Sequence, residues 1–322
     1  MAGRDHALRL ALGGSLALLW GTALGASVPG IGAALAVQLL AASPGGLPPK
    51  ASLLLVVVTA CAALMAHGVT LVFIDQPLLL VLSLALLLWH GFRAAEAGRA
   101  LVGTMAVNMG VIVPIMTVQS SLFGGLVVGT LVGEVVRGVA SVYLMHALLP
   151  APAGSGRRGR EAPPPAPAWL APAKVAVLLP ILLFYLVAFN AMSFAALTAL
   201  AAFLLAGGGE AGGRYLARNL VGNIAGCVAA SAATTLLLIA DSPLGLVLLT
   251  LLFALGFAGR VPRYGPVAVM ALVTYLSMFG MTLSPLLDLP PVVQRVLEIG
   301  VLSLYALGAA SLMRPATRPS TA

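Results

Sequence analysis

The sequence predicts an all-α polytopic membrane protein of about twelve transmembrane helices, arranged as two parallel six-helix repeats. Of its 322 residues 61% are apolar and only 8% are charged, so a water-soluble fold would lack polar surface. Fifteen of the seventeen Lys and Arg residues also fall where such a chain would place its cytoplasmic helix ends. Composition and charge pattern therefore indicate the same class.

Apolar runs long enough to cross about 30 Å of hydrocarbon follow one another along most of the chain. Pro, Gly, Asp or Arg separates them, as at Asp75-Gln76-Pro77. The predicted spans of the first half are 8–28, 30–42, 52–73, 77–91, 100–118 and 121–149. Those of the second half are 174–190, 192–206, 215–239, 243–258, 264–283 and 292–313.

The basic residues predict the orientation, because cytoplasmic loops are enriched in Lys and Arg. Counting crossings from Arg4 and Arg9 puts both termini and all the basic loops on the cytoplasmic side. The pI near 10.2 is then a consequence of topology, and no nucleic-acid partner is expected. An alternative interpretation makes 1–27 a secretory signal peptide, but removing it would invert every later loop.

Matching positions indicate an internal duplication. Cys61 and Cys227 are 166 positions apart, and so are Asp75 and Asp241. Because each half contains an even number of spans, the halves should run parallel, related by an axis along the membrane normal. The predicted units are a first repeat at 1–150, a cytoplasmic linker rich in Pro, Ala and Arg at 151–173, and a second repeat at 174–322.

Four of the predicted spans are short, and they take the second and fourth places of each repeat: 30–42, 77–91, 192–206 and 243–258. Short or interrupted spans at corresponding positions are typical of the central site of a transporter. Imprecise boundaries are the alternative explanation.

Two charged pairs lie inside predicted spans, where a charge costs roughly 2.5–3.5 kcal/mol on insertion scales. Glu134 and Arg137 share one helix face in mid-span, whereas Arg295 and Glu298 form a second pair near the outer end of the last span. One interpretation of the first pair is a structural ion pair. The functional interpretation makes Arg137 the counter-charge of an anionic substrate and Glu134 a proton-exchanging partner.

Four further polar side chains are candidates for binding the substrate or for carrying the proton. Asn219 and Asn223 belong to a stripe spaced by four residues, which indicates a solvated path or interhelical hydrogen bonds. His67 lies toward the outer end of its span, where it could relay protons or simply hydrogen-bond. Asn108 precedes a proline kink and is a candidate substrate contact.

Enzymatic signatures are absent from the sequence. It contains no G-x-x-x-x-G-K-[ST], H-E-x-x-H or G-x-S-x-G, and no His, Cys and carboxylate cluster with metal-ligand spacing. We therefore expect no enzymatic activity, no cofactor and no bound metal.

The segment 214–226, Arg-Tyr-Leu-Ala-Arg-Asn-Leu-Val-Gly-Asn-Ile-Ala-Gly, resembles the fusaric acid resistance and aromatic acid exporter (FUSC) superfamily. That family opens the third span of each repeat with basic residues and a Gly-polar-x-x-Gly element, which Gly222, Asn223 and Gly226 match. The sequence departs from the family where Lys50 opens the third span without that element. Larger relatives also carry a soluble domain for which 151–173 leaves no room.

The resemblance implies efflux of small aromatic or amphipathic acids from the bacterial inner membrane, with a periplasmic membrane-fusion adaptor as partner. The resulting hypothesis is a proton-coupled secondary transporter, embedded in the lipid bilayer, that exports a small organic anion. The alternatives are a drug/metabolite-type transporter with ten helices in inverted halves, and a non-transporting membrane scaffold subunit. Whether the chain forms a homo-oligomer is left open.

Overall fold

Helices make up the fold of this chain in the structure, a computed structural model. It describes residues 2–26, 28–150, 167–188, 194–205, 210–240, 242–283 and parts of 300–309, and these contain no strand. The helices of the first half are α1 (Ala2–Ala23), α2 (Pro29–Ala42), α3 (Pro49–Phe73), α4 (Pro77–Glu96), α5 (Ala100–Gln119) and α6 (Ser121–Leu148). They continue with α7 (Leu170–Ala188), α8 (Phe194–Leu205), α9 (Glu210–Ala240), α10 (Pro243–Ala258), α11 (Val261–Tyr264) and α12 (Pro266–Thr282).

The surface of the bundle is suited to lipid. Within the described part of the chain, seven helices are long and apolar enough to cross a membrane. Large apolar side chains face outward from them, and Leu238 and Ile239 are each 78% exposed. Water would penalise such a surface, whereas hydrocarbon accepts it, and helices satisfy their own backbone hydrogen bonds there. The chain is therefore an all-α polytopic membrane protein, as predicted.

Prolines and glycines set several helix boundaries. α2, α3, α4, α10 and α12 all begin at a proline, which has no N–H to leave unsatisfied at the first helical position. Gly265 has a φ of 51° and lies between α11 and α12. Only 266–282 of the predicted span 264–283 therefore forms one continuous helix. Of the last predicted span, 292–313, only parts of 300–309 are described, and these are helical; most of the linker 151–173 lies outside the described residues.

One short span was wrongly predicted. α4 extends five residues beyond 77–91 and ends at Glu96, because the segment that contains Arg93 and Glu96 continues the helix. Gly98, where φ is 81°, lies just after this end. α2 has 14 residues and α10 has 16, in agreement with the short spans predicted there, whereas the described residues of α8 do not include all of the predicted span 192–206.

The contacts between the two halves are reciprocal. α1 packs on α10 while α4 packs on α7, and α2 packs on α12 while α5 packs on α8. With α1 equivalent to α7, α2 to α8, α4 to α10 and α5 to α12, each contact occurs twice with the roles exchanged. Two parallel copies related by a twofold axis would give this arrangement.

The closest approach between the halves is at the crossing of α2 and α12. Gly30 lies directly against Gly280, and a Cβ built on Gly30 would be only 2.5 Å from Ser277 O. Small residues permit such close backbone contact between membrane helices. The central crossing therefore depends on glycine at both positions.

A buried ion pair joins α4 to α7 at the end of the bundle that carries Lys50 and the start of α7, here called the basic end. Lys174 Nζ lies 3.1 Å from Glu96 Oε1, and both side chains are more than nine-tenths buried. Lys174 also lies over the Phe92 ring, 5.7 Å from its centroid. The pair therefore ties the two halves together.

Replacing Lys174 by Met alone should destabilise the protein by about 3–5 kcal/mol, because it leaves the Glu96 carboxylate buried without its cation. The double variant Glu96→Leu with Lys174→Met should recover most of that loss, since no charge then remains buried. Thermal unfolding of the purified protein in detergent measures both. Equal stability of the single variant and the native protein would contradict the assignment.

Candidate substrate site

Glu134 is a fully buried carboxylate at the centre of α6. It lies 14 residues before the end of that 28-residue helix, about 21 Å along its axis. Its Oε1 accepts a hydrogen bond from the Arg137 guanidinium, and its Oε2 accepts one from Gly32 N at 3.0 Å. The Glu134 carboxylate, whose charge would be unfavourable in hydrocarbon, is therefore paired with a cation and hydrogen-bonded on both oxygens.

The N-terminus of the short helix α2 points at Glu134. Gly32, whose N–H donates to Glu134, lies in the first turn of this helix, where the helix dipole favours a negative charge. A side chain on Gly32 would collide with the Glu134 carboxylate, and a Cβ on Gly138 would lie 3.0 Å from Gly32 O. Glycine at these places lets α2 and α6 approach closely enough for the hydrogen bond.

Sequence reasoning missed this role of Gly30 and Gly32. Gly30 contacts α12 and Gly32 contacts α6, so the element Pro29-Gly30-Ile31-Gly32 joins three helices. Two glycines immediately after the proline of a short span were the available signal, because a helix start rarely needs glycine unless another backbone comes close.

Arg137 is only partly satisfied. Its side chain, 17% exposed, lies over Gly133, where a built Cβ would be 3.7 Å from both terminal nitrogens of the guanidinium. Its Nε is buried and has no hydrogen-bond partner. A guanidinium carries five N–H donors, so Arg137 retains donors for a second acceptor beside Glu134.

A groove runs along α6 from this guanidinium. We define the α6 groove by Gly125, Gly129 and Gly133, which share one helix face over about 12 Å. A Cβ on Gly129 would meet no described atom within 4 Å, and one on Gly125 would lie 3.7 Å from His67 Nε2. The groove is therefore open in its middle, with Arg137 at one end and His67 at the other.

The hydrogen bonds of His67 define which ring nitrogen faces the groove. Its Nδ1 lies 2.9 Å from Thr117 Oγ1, and that hydroxyl donates to Val113 O at 2.8 Å. Since the Thr117 proton is already used, the Nδ1–H of His67 must be the donor to Thr117. Nε2 is then the unprotonated nitrogen of the neutral ring, a proton acceptor at the end of the groove.

The two asparagines on α9 lie in a different place. The amide nitrogen of Asn223 donates to Asn219 O at 2.9 Å and to Asn219 Oδ1 at 3.0 Å, and its Oδ1 accepts from Thr274 Oγ1 at 2.6 Å. Gly222 and Gly226 pack closely on the backbone of α12. The Gly-Asn-x-x-Gly element therefore forms a helix contact, and its recorded hydrogen bonds stay within α9 and α12.

The remaining candidates are not joined to this groove by any recorded contact. Asn108, on α5, has a buried Oδ1 without a hydrogen-bond partner. Arg295 and Glu298 lie outside the described residues. Among the residues that the structure describes, no group of three or more His, Cys, Asp or Glu could hold a metal ion. Glu134, Arg137 and His67 are therefore the predicted residues that one groove brings together.

Replacing Asn223 by Ala should destabilise the protein by about 0.6–2 kcal/mol, the range for interhelical hydrogen bonds in membranes. Thr274→Val removes the other partner while keeping the shape. In a double-mutant cycle on thermal unfolding, the combined loss should be smaller than the sum of the two single losses. Strict additivity would show that the Asn223–Thr274 bond contributes nothing.

One comparison with known proteins gives a match. Residues 6–146 match the model of a family described as "Protein of unknown function (DUF2955)", which covers just under half of the chain and contains all of the α6 groove. No curated protein and no solved structure matches the chain. The first half is thus similar to a family whose description names no activity, and the FUSC resemblance stays a prediction.

Proposed function

We propose that the protein is a proton-coupled secondary exporter of small aromatic or amphipathic organic acids. The observation that carries the proposal is the position of Arg137, a cation in mid-span with unused donors beside an open groove. An arginine in a membrane usually faces protein or a water-filled path, and its fork of donors matches a carboxylate. A hydrophobic acid would place its carboxylate on Arg137 and its ring over the groove glycines.

Proton coupling follows from competition between two carboxylates for one guanidinium. When the substrate carboxylate binds Arg137, Glu134 loses its main counter-charge in a buried position, which favours its protonation. When the substrate leaves, Glu134 releases the proton and pairs with Arg137 again. His67 Nε2 can accept that proton at the far end of the groove. One proton would thus cross the membrane together with each carboxylate exported.

The setting of this exporter is part of the proposal. The FUSC resemblance favours a bacterial inner membrane, and the charge pattern favours both termini in the cytoplasm. A periplasmic membrane-fusion adaptor would carry the acid onward. Reaction of a thiol placed in 151–166 with an impermeant reagent in intact cells would contradict this orientation, whereas protection until lysis would support it.

The test of transport is flux in proteoliposomes made from the purified protein. With a pH gradient imposed, radiolabelled 4-hydroxybenzoate should cross the membrane in the same direction as the proton, and an enclosed pH-sensitive dye should record that proton movement. Liposomes without protein measure passive leakage of the acid. Flux of a panel of aromatic acids no faster than this leakage would favour the scaffold alternative and contradict the proposal.

A further inference from the structure

Arg9 is another buried cation, on a different helix from the α6 groove. It lies on α1 at the basic end of the bundle and is only 2% exposed, the largest of the fully buried side chains described. Its Nη1 donates to Pro44 O at 3.0 Å, and its Nε is buried without a partner. A backbone carbonyl carries no net charge, so the guanidinium stays uncompensated.

The corresponding cation of the second half is compensated. Lys174 lies near the start of α7, the helix equivalent to α1, and has Glu96 as its carboxylate. In the described residues Arg9 has no such ion pair. Removing an uncompensated charge from water costs several kcal/mol, which makes an external anion the expected counterpart of Arg9.

His146 supplies a second polar group to the same place. Its Nδ1 lies 2.9 Å from Val142 O and must donate to it, while its Nε2 is buried without a partner. A Cβ on Gly46 would lie 3.7 Å from His146 Cδ2, so the loop that accepts the Arg9 hydrogen bond also covers the edge of this imidazole. The same loop therefore contacts both the Arg9 and the His146 side chains, and the place between them is called the Arg9 pocket below.

His6 shows that the field in this pocket is positive. It precedes the first predicted span and lies one helical turn before Arg9. Burial lowers the pKa of His6, and the positive charges of Arg9 and of His146 lower it further. Three basic side chains from α1 and α6 therefore share the pocket, and the exposed Asp5 beside them forms no recorded ion pair.

We propose that Arg9 and His146 form an oxyanion site for a phosphate group, with His6 at its rim. Arg9 Nε–H would donate to one oxygen, and His146, protonated at Nε2, would donate to another. The phosphate could come from the headgroup of an anionic lipid, because the basic end lies at a membrane surface, or from free phosphate in solution. This site is separate from the α6 groove and does not depend on the proposed transport.

Thermal unfolding in a phosphate-free sugar detergent tests the site. Inorganic phosphate, or phosphatidylglycerol added to the micelles, should raise the unfolding temperature of the native protein in a saturable way at constant ionic strength. Arg9→Gln should weaken that response about 10- to 100-fold, as expected for a lost charge-assisted hydrogen bond. Arg4→Gln is the matched control, since it removes an exposed arginine from the same helix and should leave the response unchanged.

The two ligands identify the source of the phosphate. A response to inorganic phosphate supports a solute site, and a response to phosphatidylglycerol alone supports a headgroup site. If Arg9→Gln does not fold, His146→Gln replaces it, and its response should be about tenfold weaker. Equal responses in the native protein and in these variants, or none in the native protein, would overturn the proposal and leave Arg9 as a structural contact to Pro44.

Discussion

Replacing Arg137 by Gln should abolish export of organic acids while the protein remains folded and inserted. Gln keeps a hydrogen-bond donor for Glu134, so the α6–α2 contact survives, but it provides no positive charge for the substrate carboxylate. Losing a charge-assisted hydrogen bond in a membrane interior should lower affinity by about 10- to 100-fold or more. Flux in proteoliposomes at a fixed acid concentration measures the effect.

Arg260→Gln is the matched control, because Arg260 is exposed and, among the described residues, its side chain donates to Gly256 O near the end of α10. That variant should transport at the native rate. Glu134→Gln should behave differently from both, since it keeps Arg137 available to the acid but removes the exchanging proton. We expect its flux to become insensitive to the pH gradient. Native flux in Arg137→Gln would remove Arg137 from the site.

Replacing Gly30 by Val should strongly destabilise the fold. Its Cβ alone would lie 2.5 Å from Ser277 O and 2.8 Å from Ser277 Cα, both backbone atoms that cannot rotate away. Overpacking costs about 1–3 kcal/mol when side chains can yield, and a clash with backbone at the crossing of α2 and α12 should reach or exceed the upper end. The yield of monodisperse protein and its unfolding temperature measure the loss.

Gly129→Ala is the control for this clash. Gly129 lies inside the helix α6, where glycine is less favourable than alanine. No described atom lies within 4 Å of a Cβ built on it. That change should keep stability or raise it by up to about 1 kcal/mol, the difference in helix propensity between the two residues. Comparable stability of Gly30→Val and Gly129→Ala would contradict the close crossing.

The class of fold and most helix boundaries were predictable because they depend on local signals. Apolar runs, prolines at helix starts and the distribution of basic residues are all present in short segments. Spacing alone placed Glu134 and Arg137 on one helix face, and the structure confirms the contact between the two charges. The end of α4 was wrongly predicted because polar residues can extend a helix beyond its apolar part.

Contacts between helices that are distant in the sequence could not be predicted from it. Spacing did not indicate that Gly32 would meet Glu134, that Thr274 would bind Asn223, or that His67 would reach Gly125. Each depends on how helices more than 50 positions apart cross, and an apolar sequence allows many crossings. Lys174 shows the same limit, since the charge pattern placed it at the cytoplasmic end of the span 174–190 but did not indicate that packing buries it against Glu96.

The central claim is that the α6 groove is a water-filled site for an organic anion beside Arg137. The most direct measurement is the reactivity of Gly129→Cys in a chain whose own Cys61 and Cys227 are replaced by Ala. Thiols react as thiolates, which require water, so an impermeant maleimide should label this position and an aromatic acid should protect it. Adding Arg137→Gln should remove the protection. An unreactive thiol, as expected for a groove that faces lipid, would contradict the account.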